Sequence, residues 1–233
     1  MLSPNALATL YPPDGLLARL RDANGDDWRR YIGHEFVQRL GDGSLPELAF
    51  RHYLIQDYLF LIHFARAYAL AAYKGETLED IKIAMAAASA LVDTEMGLHV
   101  GFCAGWGLSE AEMAAASEDH ATLAYTRYVL ERGMAGDLLD LHIALAPCVL
   151  GYAEIGLALS TDPETSRDNN PYTPWIDMYA GDEYQQVARE AAAYIERLAV
   201  RRGAEVRFDG LSRTFGEATR LEAIFWQQGL NVA

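Results

Sequence analysis

The chain has few cysteines and no concentration of basic charge. Two of its 233 residues are cysteines, Cys103 and Cys148, which is too few for a disulfide framework. Lysine and arginine number 19 against 33 acidic residues, so the formal net charge is −14. The densest basic clusters are the pairs at 29–30 and 201–202, whereas proteins that bind duplex nucleic acid carry a basic stripe. We therefore expect no nucleic-acid partner and no attraction to an anionic membrane.

Long apolar runs and nucleotide-binding motifs are also missing from the sequence. Charged residues or histidine interrupt each apolar stretch before it reaches the roughly 20 residues that cross a bilayer. The first residues do not show the basic and then apolar pattern of a signal peptide. No glycine-rich phosphate-binding motif and no G-x-S-x-G motif is present. These absences predict a cytoplasmic protein with reduced thiols that does not insert into a membrane.

What the sequence does contain is helical periodicity. Apolar and polar residues do not alternate with a period of two, so helices are favoured over strands. Capping signatures at Thr77 with Asp80, at Ser109 with Glu112 and at Asp137 mark three helix starts. No repeat or linker divides the chain, which predicts an all-α, single-domain antiparallel helical bundle over residues 1–233. The predicted helices are 14–24, 26–40, 46–73, 77–103, 109–133, 137–160, 173–180, 182–202 and 211–229.

The first candidate for chemistry lies in the apolar helix predicted at 137–160. Pro147 removes a backbone hydrogen bond inside that helix and bends it. Cys148 follows the bend, and Tyr152 shares its face because residues four apart lie above one another. Gly151 and Gly156 leave space nearby. The alternative, a buried structural cysteine, is the commoner fate of a lone cysteine.

A second candidate is Asp57, which interrupts an aromatic-rich helix. Tyr53, Asp57 and Phe60 fall on one side of that helix by their spacing. A carboxylate buried among aromatic rings is costly without a partner, so Asp57 needs either a hydrogen-bonded structural partner or a ligand. A surface aspartate, with Tyr53 and Phe60 in the core, is an equally good interpretation of the sequence.

A third candidate, Glu222, lies on one face of the last helix with Phe225 and Trp226. A carboxyl group in such apolar surroundings could donate a proton at neutral pH. The alternative is a partly exposed glutamate paired with Arg220 or Arg213, and taken alone it is the better interpretation.

The only approach to a metal pattern is Glu95 with His99, four residues apart on one predicted helix. Two ligands are too few for a site, and His63, His120 and His142 lack ligand partners at a suitable spacing. We therefore expect no metal and no cofactor.

Taken together, five segments resemble the TenA family, also called thiaminase II, in order and separation: 53–58, 95–99, 146–152, 175–179 and 222–226. The resemblance covers nearly the whole chain and implies a haem-oxygenase-like helical bundle, assembled as a homotetramer or homodimer. It also implies hydrolysis of 4-amino-5-aminomethyl-2-methylpyrimidine, or of thiamine, at the methylene carbon on the pyrimidine ring, within thiamine salvage.

The resemblance further implies roles for individual residues. Cys148 would be the nucleophile, Glu222 would exchange protons with the ring and the leaving group, and Asp57 would bind the 4-amino group and a ring nitrogen. The remaining implied substrate-binding residues are aromatic: Tyr53, Phe60, Tyr125, Tyr152 and Tyr179. Considered singly, Tyr125 and Tyr179 are typical of a protein core.

One residue departs from the family pattern. Phe60 stands where many members have a tyrosine, so a hydroxyl group that could orient Glu222 is absent. The loop predicted at 161–171 is also longer than expected. Two other functions stay open at this point: a non-catalytic aminopyrimidine-binding or regulatory protein, and a metal-dependent oxidase built on the same bundle.

Overall fold

The described part of the chain folds almost entirely into helices. A computed structural model describes the backbone of residues 2, 4–105 and 107–232, and all of their side chains except those at 4, 5, 94, 95 and 98. These residues contain no strand, which confirms the predicted all-α class. In chain order, α1 to α13 are Pro4–Leu7, Leu16–Ala23, Gly25–Ile32, Glu35–Asp42, Glu47–Lys74, Leu78–Ala90, Met96–Ala104, Glu110–Ala115, His120–Ala135, Leu138–Thr161, Thr173–Ala180, Asp182–Arg201 and Phe208–Leu230.

The helices group into two compact units. The first unit comprises Met1–Leu45 and His142–Trp226, and the second comprises Pro46–Leu141 and Gln227–Ala233. Each unit therefore combines two chain segments that are distant in sequence. The assignment of residues 1–233 to one domain stays a prediction.

Local capping chemistry sets the predicted helix starts. Thr77 and Asp80 form a reciprocal capping box at the start of α6, and Ser109 and Glu112 form another at the start of α8. At the start of α10, the Oδ1 atom of Asp137 accepts hydrogen bonds from the backbone amides of residues 139 and 140, at 2.9 and 3.2 Å. These side chains satisfy amides that would otherwise lack partners at a helix start.

Two predicted helices are interrupted by non-helical residues, and the helix predicted at 77–103 is divided into α6 and α7 by a π-helical turn. The helix predicted at 26–40 is two helices, α3 and α4, and the imidazole of His34 caps the second by accepting from Phe36 N at 3.2 Å. The helix predicted at 109–133 is also two helices, α8 and α9, separated by residues 116–119. Gln56 of α5 binds this connection: its Nε2 donates to Ser117 O at 3.0 Å, and its Oε1 accepts from Asp119 N at 2.9 Å. A side chain distant in sequence thus replaces hydrogen bonds that a continuous helix would make.

The second unit is organised around α5, a 28-residue helix that packs against α6, α7, α8 and α9. A hydrogen bond joins α5 to the start of α8: Tyr58 Oη donates to Glu110 Oε1 at 3.0 Å. Partial burial and this hydrogen bond raise the pKa of the Tyr58 phenol above its ordinary value. Residues Leu91–Glu95, between α6 and α7, form a π-helical turn.

In the first unit, α10 carries Pro147 in its interior. The carbonyl oxygen of Pro147 accepts a hydrogen bond from Tyr31 Oη at 3.3 Å. A Cβ atom at Gly151 would lie only 2.1 Å from Cε1 of the same tyrosine ring. The space left by Gly151 is therefore filled by Tyr31 and is not open to a ligand.

Within the described residues, α10 is also the one helix with the length and composition of a membrane span. Its most apolar 18-residue window has a mean hydropathy of 1.7, and 72% of that window is buried within the protein. The core helix of a soluble protein passes the same test, and extensive burial is what such a helix shows. The helix is consistent with a soluble protein.

Candidate active-site residues

In the second unit, Asp57 is buried and hydrogen-bonded. The residue is 4% exposed, so the interpretation as a surface aspartate is wrong. Oδ2 accepts from Tyr53 Oη at 3.1 Å and pairs with His99 Nε2 at 2.6 Å. An ionised carboxylate only accepts hydrogen bonds, so against an ionised Asp57 the imidazole is the donor through Nε2. The partner that a buried carboxylate requires is thus present in the fold.

His99 was expected only as a weak metal-ligand candidate with Glu95. The structure instead places its buried ring against Asp57. The Glu95 side chain lies outside the described residues. Among the side chains that are described, no group of three or more histidine, cysteine or acidic residues could hold a metal ion. Sequence spacing could not reveal the pair, because Asp57 and His99 lie 42 residues apart on different helices.

Phe60, which lies close to Asp57 along the chain, forms an aromatic contact with Tyr125 of α9. Phe60 lies one turn after Asp57 on α5, and its ring centroid is 4.9 Å from that of Tyr125 on α9. A second contact joins Phe60 to Phe64, with the centroids 5.3 Å apart. Both Phe60 and Tyr125 are buried, so these candidate residues lie in the packed interior of the second unit.

In the first unit, Cys148 is partly accessible, whereas Cys103 of the second unit is buried. Burial raises the pKa of the Cys103 thiol, which keeps it protonated and unreactive at neutral pH. The interpretation as a buried structural cysteine therefore describes Cys103. Partial accessibility is a requirement for a nucleophile, and Cys148 meets it.

Tyr152 and Tyr179 belong to an aromatic cluster that begins one turn after Cys148. Tyr152 lies 4.8 Å from Tyr179, 5.3 Å from Trp226 and 5.8 Å from Trp175, measured between ring centroids. A Cβ atom at Gly156 would lie 2.5 Å from the backbone of Tyr179, so the glycine lets α11 approach α10 closely. The first unit thus brings these two predicted residues into direct contact.

Glu222 is 2% exposed, so the interpretation as a partly exposed glutamate is wrong. Arg220, the partner expected in that case, binds Asp27 at 2.8 Å and also pairs with Glu217. Trp226, one turn after Glu222, stacks on Phe36 with the centroids 4.9 Å apart. Glu222 is therefore buried on α13, and the next turn of that helix packs against aromatic side chains.

Sequence reasoning overlooked Glu154, a second buried carboxylate on the helix of Cys148. Its side chain is 1% exposed, and its two oxygens accept from Arg21 at 3.0 Å and from Trp28 Nε1 at 2.8 Å. The signal was visible as the one acidic residue inside an otherwise apolar stretch. Because both oxygens are engaged by protein donors, Glu154 has the environment of a structural acid.

The comparison with known proteins identifies the family. Residues 23–231 match the TENA/THI-4/PQQC family. This chain belongs to that family. An aminopyrimidine aminohydrolase of Halalkalibacterium halodurans is 36% identical over 204 residues, which cover 88% of this chain and 90% of the relative.

Solved structures confirm the fold. A TenA family transcription regulator from a Silicibacter species is 46% identical, with a TM-score of 0.88 over 94% of this chain and 98% of that protein. A Shewanella denitrificans domain with a haem-oxygenase-like fold has a TM-score of 0.72 at 14% identity, covering 92% of each chain. The predicted haem-oxygenase-like class is therefore confirmed.

Proposed function

We propose that this protein is a thiaminase II-type aminopyrimidine aminohydrolase of thiamine salvage. Its substrate is 4-amino-5-aminomethyl-2-methylpyrimidine, with thiamine as a further candidate, and its product is the 5-hydroxymethyl compound. The aminopyrimidine aminohydrolase relative, 36% identical over most of the chain, carries the proposal. The burial of Asp57 and Glu222 and the accessibility of Cys148 support it.

In the proposed reaction, Glu222 protonates a ring nitrogen and so makes the pyrimidine electrophilic. The Cys148 thiolate forms a bond to a ring carbon, and the bond from the methylene carbon to the departing ammonia then breaks. Water adds to the methylene carbon, and release of the thiolate restores the aromatic ring. One water is consumed and one ammonia is released, with Glu222 transferring the protons.

The other candidate residues hold the substrate in this proposal. Asp57 accepts a hydrogen bond from the 4-amino group, an interaction strengthened by the charge on the carboxylate. Tyr53, a donor to Asp57, orients that carboxylate. The rings of Phe60, Tyr125, Tyr152 and Tyr179 provide flat apolar contacts of the kind that bind an aromatic ring.

The deciding experiment compares two cysteine variants. Purified wild type, Cys148→Ala and Cys103→Ala are incubated with the aminomethylpyrimidine and, separately, with thiamine, and product is measured by mass spectrometry together with released ammonia. We expect wild type and Cys103→Ala to form the hydroxymethyl product and Cys148→Ala to form none. If wild type hydrolyses neither substrate, or Cys148→Ala keeps full activity, the proposal fails.

A second candidate function is ligand binding without turnover. It is favoured by the similarity to the 46% identical Silicibacter protein, a TenA family transcription regulator. The charge of −14 argues against direct contact with DNA. Calorimetric binding of the hydroxymethylpyrimidine by a wild-type protein that releases no ammonia would favour this function over hydrolysis.

We also propose a cytoplasmic protein that assembles as a homotetramer, the state that the family resemblance implies, or as a homodimer. With a chain mass of 25.8 kDa, light scattering would give about four or two times that value. A monomeric mass at micromolar concentration would contradict this proposal without affecting the proposed chemistry.

A further inference from the structure

The hydrogen bonds to Asp57 are distributed unevenly over its two oxygens. Both Tyr53 Oη, at 3.1 Å, and His99 Nε2, at 2.6 Å, bind Oδ2. Among the residues whose side chains the structure describes, no side chain or backbone donor is placed on Oδ1. The fold thus binds the carboxylate through Oδ2, and Oδ1 can accept a hydrogen bond from a further donor.

We propose that His99 is a positioning residue for the hydrolysis proposed above, on which this inference rests. Its imidazole holds Oδ2 and thereby directs Oδ1 of Asp57 at the 4-amino group of the substrate. His99 does not touch the substrate itself. It acts through Asp57, which makes the pair a recognition element for an amino-substituted ring.

The two donors to Oδ2 restrain Asp57 differently. Tyr53 lies one turn earlier on the same helix, so its hydrogen bond moves with α5. His99 comes from α7, which packs against α5 as a separate element. Of these two described donors, His99 is therefore the one that ties the carboxylate to a second helix and restrains it when α5 or the side chain of Asp57 rotates.

The π-helical turn Leu91–Glu95 explains how His99 reaches Asp57. A π-turn adds one residue to the helix, and one residue corresponds to about 100° of rotation at 3.6 residues per turn. All residues after the turn, including His99, are rotated by this amount relative to a continuous α-helix. The π-turn thus changes the direction in which the His99 side chain leaves α7.

The strength of the contact allows a quantitative test. A short hydrogen bond between a buried imidazole and a carboxylate is of the stronger, charge-assisted kind. Removing such a donor and leaving the carboxylate free to rotate should lower kcat/KM by about 10- to 100-fold. Loss of the longer Tyr53 bond in Tyr53→Phe, which leaves the link to α7 in place, should cost about 10-fold or less.

The matched variants are His99→Gln and His99→Asn. The glutamine amide can reach the position of Nε2 and donate to Oδ2, whereas the asparagine amide is one methylene too short. We expect His99→Gln to stay within about three-fold of wild type in kcat/KM and His99→Asn to show the full 10- to 100-fold loss. Both variants introduce an amide, so a general effect of burying that group is the same in each.

A double-mutant cycle separates positioning from a merely structural role. If His99 acts through Asp57, His99→Asn in an Asp57→Asn background should lower the residual kcat/KM by less than about two-fold. Equal losses in the two backgrounds, or equal losses for His99→Gln and His99→Asn, would overturn the inference. In that case the wild type would still hydrolyse the substrate, and the proposed function would stand. If the wild type shows no turnover, both the inference about His99 and the proposed function fail.

The thermal midpoint of each variant, measured by circular dichroism, shows that it is folded at the assay temperature. Should His99→Asn fail to fold, the comparison of His99→Gln with Tyr53→Phe decides the matter. We expect the glutamine variant to be at least as active as Tyr53→Phe, because it retains the link to α7. A glutamine variant well below Tyr53→Phe in kcat/KM, although folded, would contradict the inference.

Discussion

Replacement of Glu154 should reduce stability far more than it reduces turnover. Glu154 and Glu222 are both buried glutamates, and both could be considered for the role of catalytic acid. The two oxygens of Glu154 accept from the protein donors Arg21 and Trp28, which is the environment of a structural acid. Glu154→Gln removes the charge and leaves Arg21 without its counter-ion, although an amide oxygen can still accept one hydrogen bond.

The size of the effect follows from burial. The Arg21 side chain is 18% exposed, and the Glu154 side chain only 1%, so water screens the pair poorly. Breaking a buried ion pair from one side costs about 3–5 kcal/mol. Because Arg21 keeps some contact with water, we expect about 2–3 kcal/mol for Glu154→Gln. Glu154→Leu should cost about 3–5 kcal/mol, since it also deprives the buried Trp28 N–H of an acceptor.

Glu205 provides the matched control, since it pairs with Arg19 at 2.5 Å but both side chains are exposed, 75% and 41% respectively. Glu205→Gln should therefore change the free energy of unfolding by less than about 1 kcal/mol. In urea denaturation with a slope of about 3 kcal/mol per molar, Glu154→Gln should lower the midpoint by about 0.7–1 M.

Turnover is measured in the same set of variants at a temperature where all are folded. Glu154→Gln should keep kcat within about three-fold, whereas Glu222→Gln should lose at least about 100-fold as the acid–base group is removed. An unchanged urea midpoint together with a large loss of kcat in Glu154→Gln would refute this reasoning. Glu154, and not Glu222, would then be the better candidate for the acid.

Further predictions concern packing and pH. Gly151→Ala should lower the free energy of unfolding by about 2 kcal/mol or more in urea denaturation, because its Cβ would overlap the ring of Tyr31. Gly101→Ala, exposed in α7 with no described atom outside the local helix backbone within 4 Å of the added Cβ, should raise it by about 0.5–1 kcal/mol. Burial, with a smaller contribution from Arg127, lowers the pKa of His63 in the folded state. Stability from this group is therefore present above its unfolded pKa of about 6.5 and is lost as the pH falls below it. The fall in urea midpoint between pH 7 and pH 5.5 should be smaller in His63→Gln than in wild type.

Helix starts were predictable because their chemistry is local. A capping box involves residues three positions apart, so Ser109 and Glu112 carry the whole signal within four letters of sequence. The break between α8 and α9 was not predictable in this way. It is stabilised by Gln56, which lies 61 residues from Ser117 along the chain and enters only through tertiary packing.

The same contrast between local sequence signals and tertiary packing holds for the candidate site. Helical spacing placed Asp57 with Tyr53 and predicted that a buried carboxylate there would need a partner. The identity of that partner depends on how α7 packs on α5 and on the π-turn before it, and neither is visible in residue periodicity. Burial of Glu222 was likewise undetermined, because Arg220 on the same helix offered an ion pair that the folded chain makes with Asp27 instead.

The glycines near Cys148 show that sequence alone does not reveal what fills the space beside a small residue on a helix. Gly151 and Gly156 suggested room beside the thiol, and room beside a nucleophile suggests a ligand. In the structure, the ring of Tyr31 occupies the first space and the backbone of Tyr179 the second. Both contacts hold α10 against its neighbours over the two turns that follow Cys148, so these glycines stabilise the framework of the thiol and do not enlarge its surroundings. A small residue next to a candidate nucleophile is therefore evidence of close packing as much as of substrate access, and only the position of the neighbouring helices distinguishes the two.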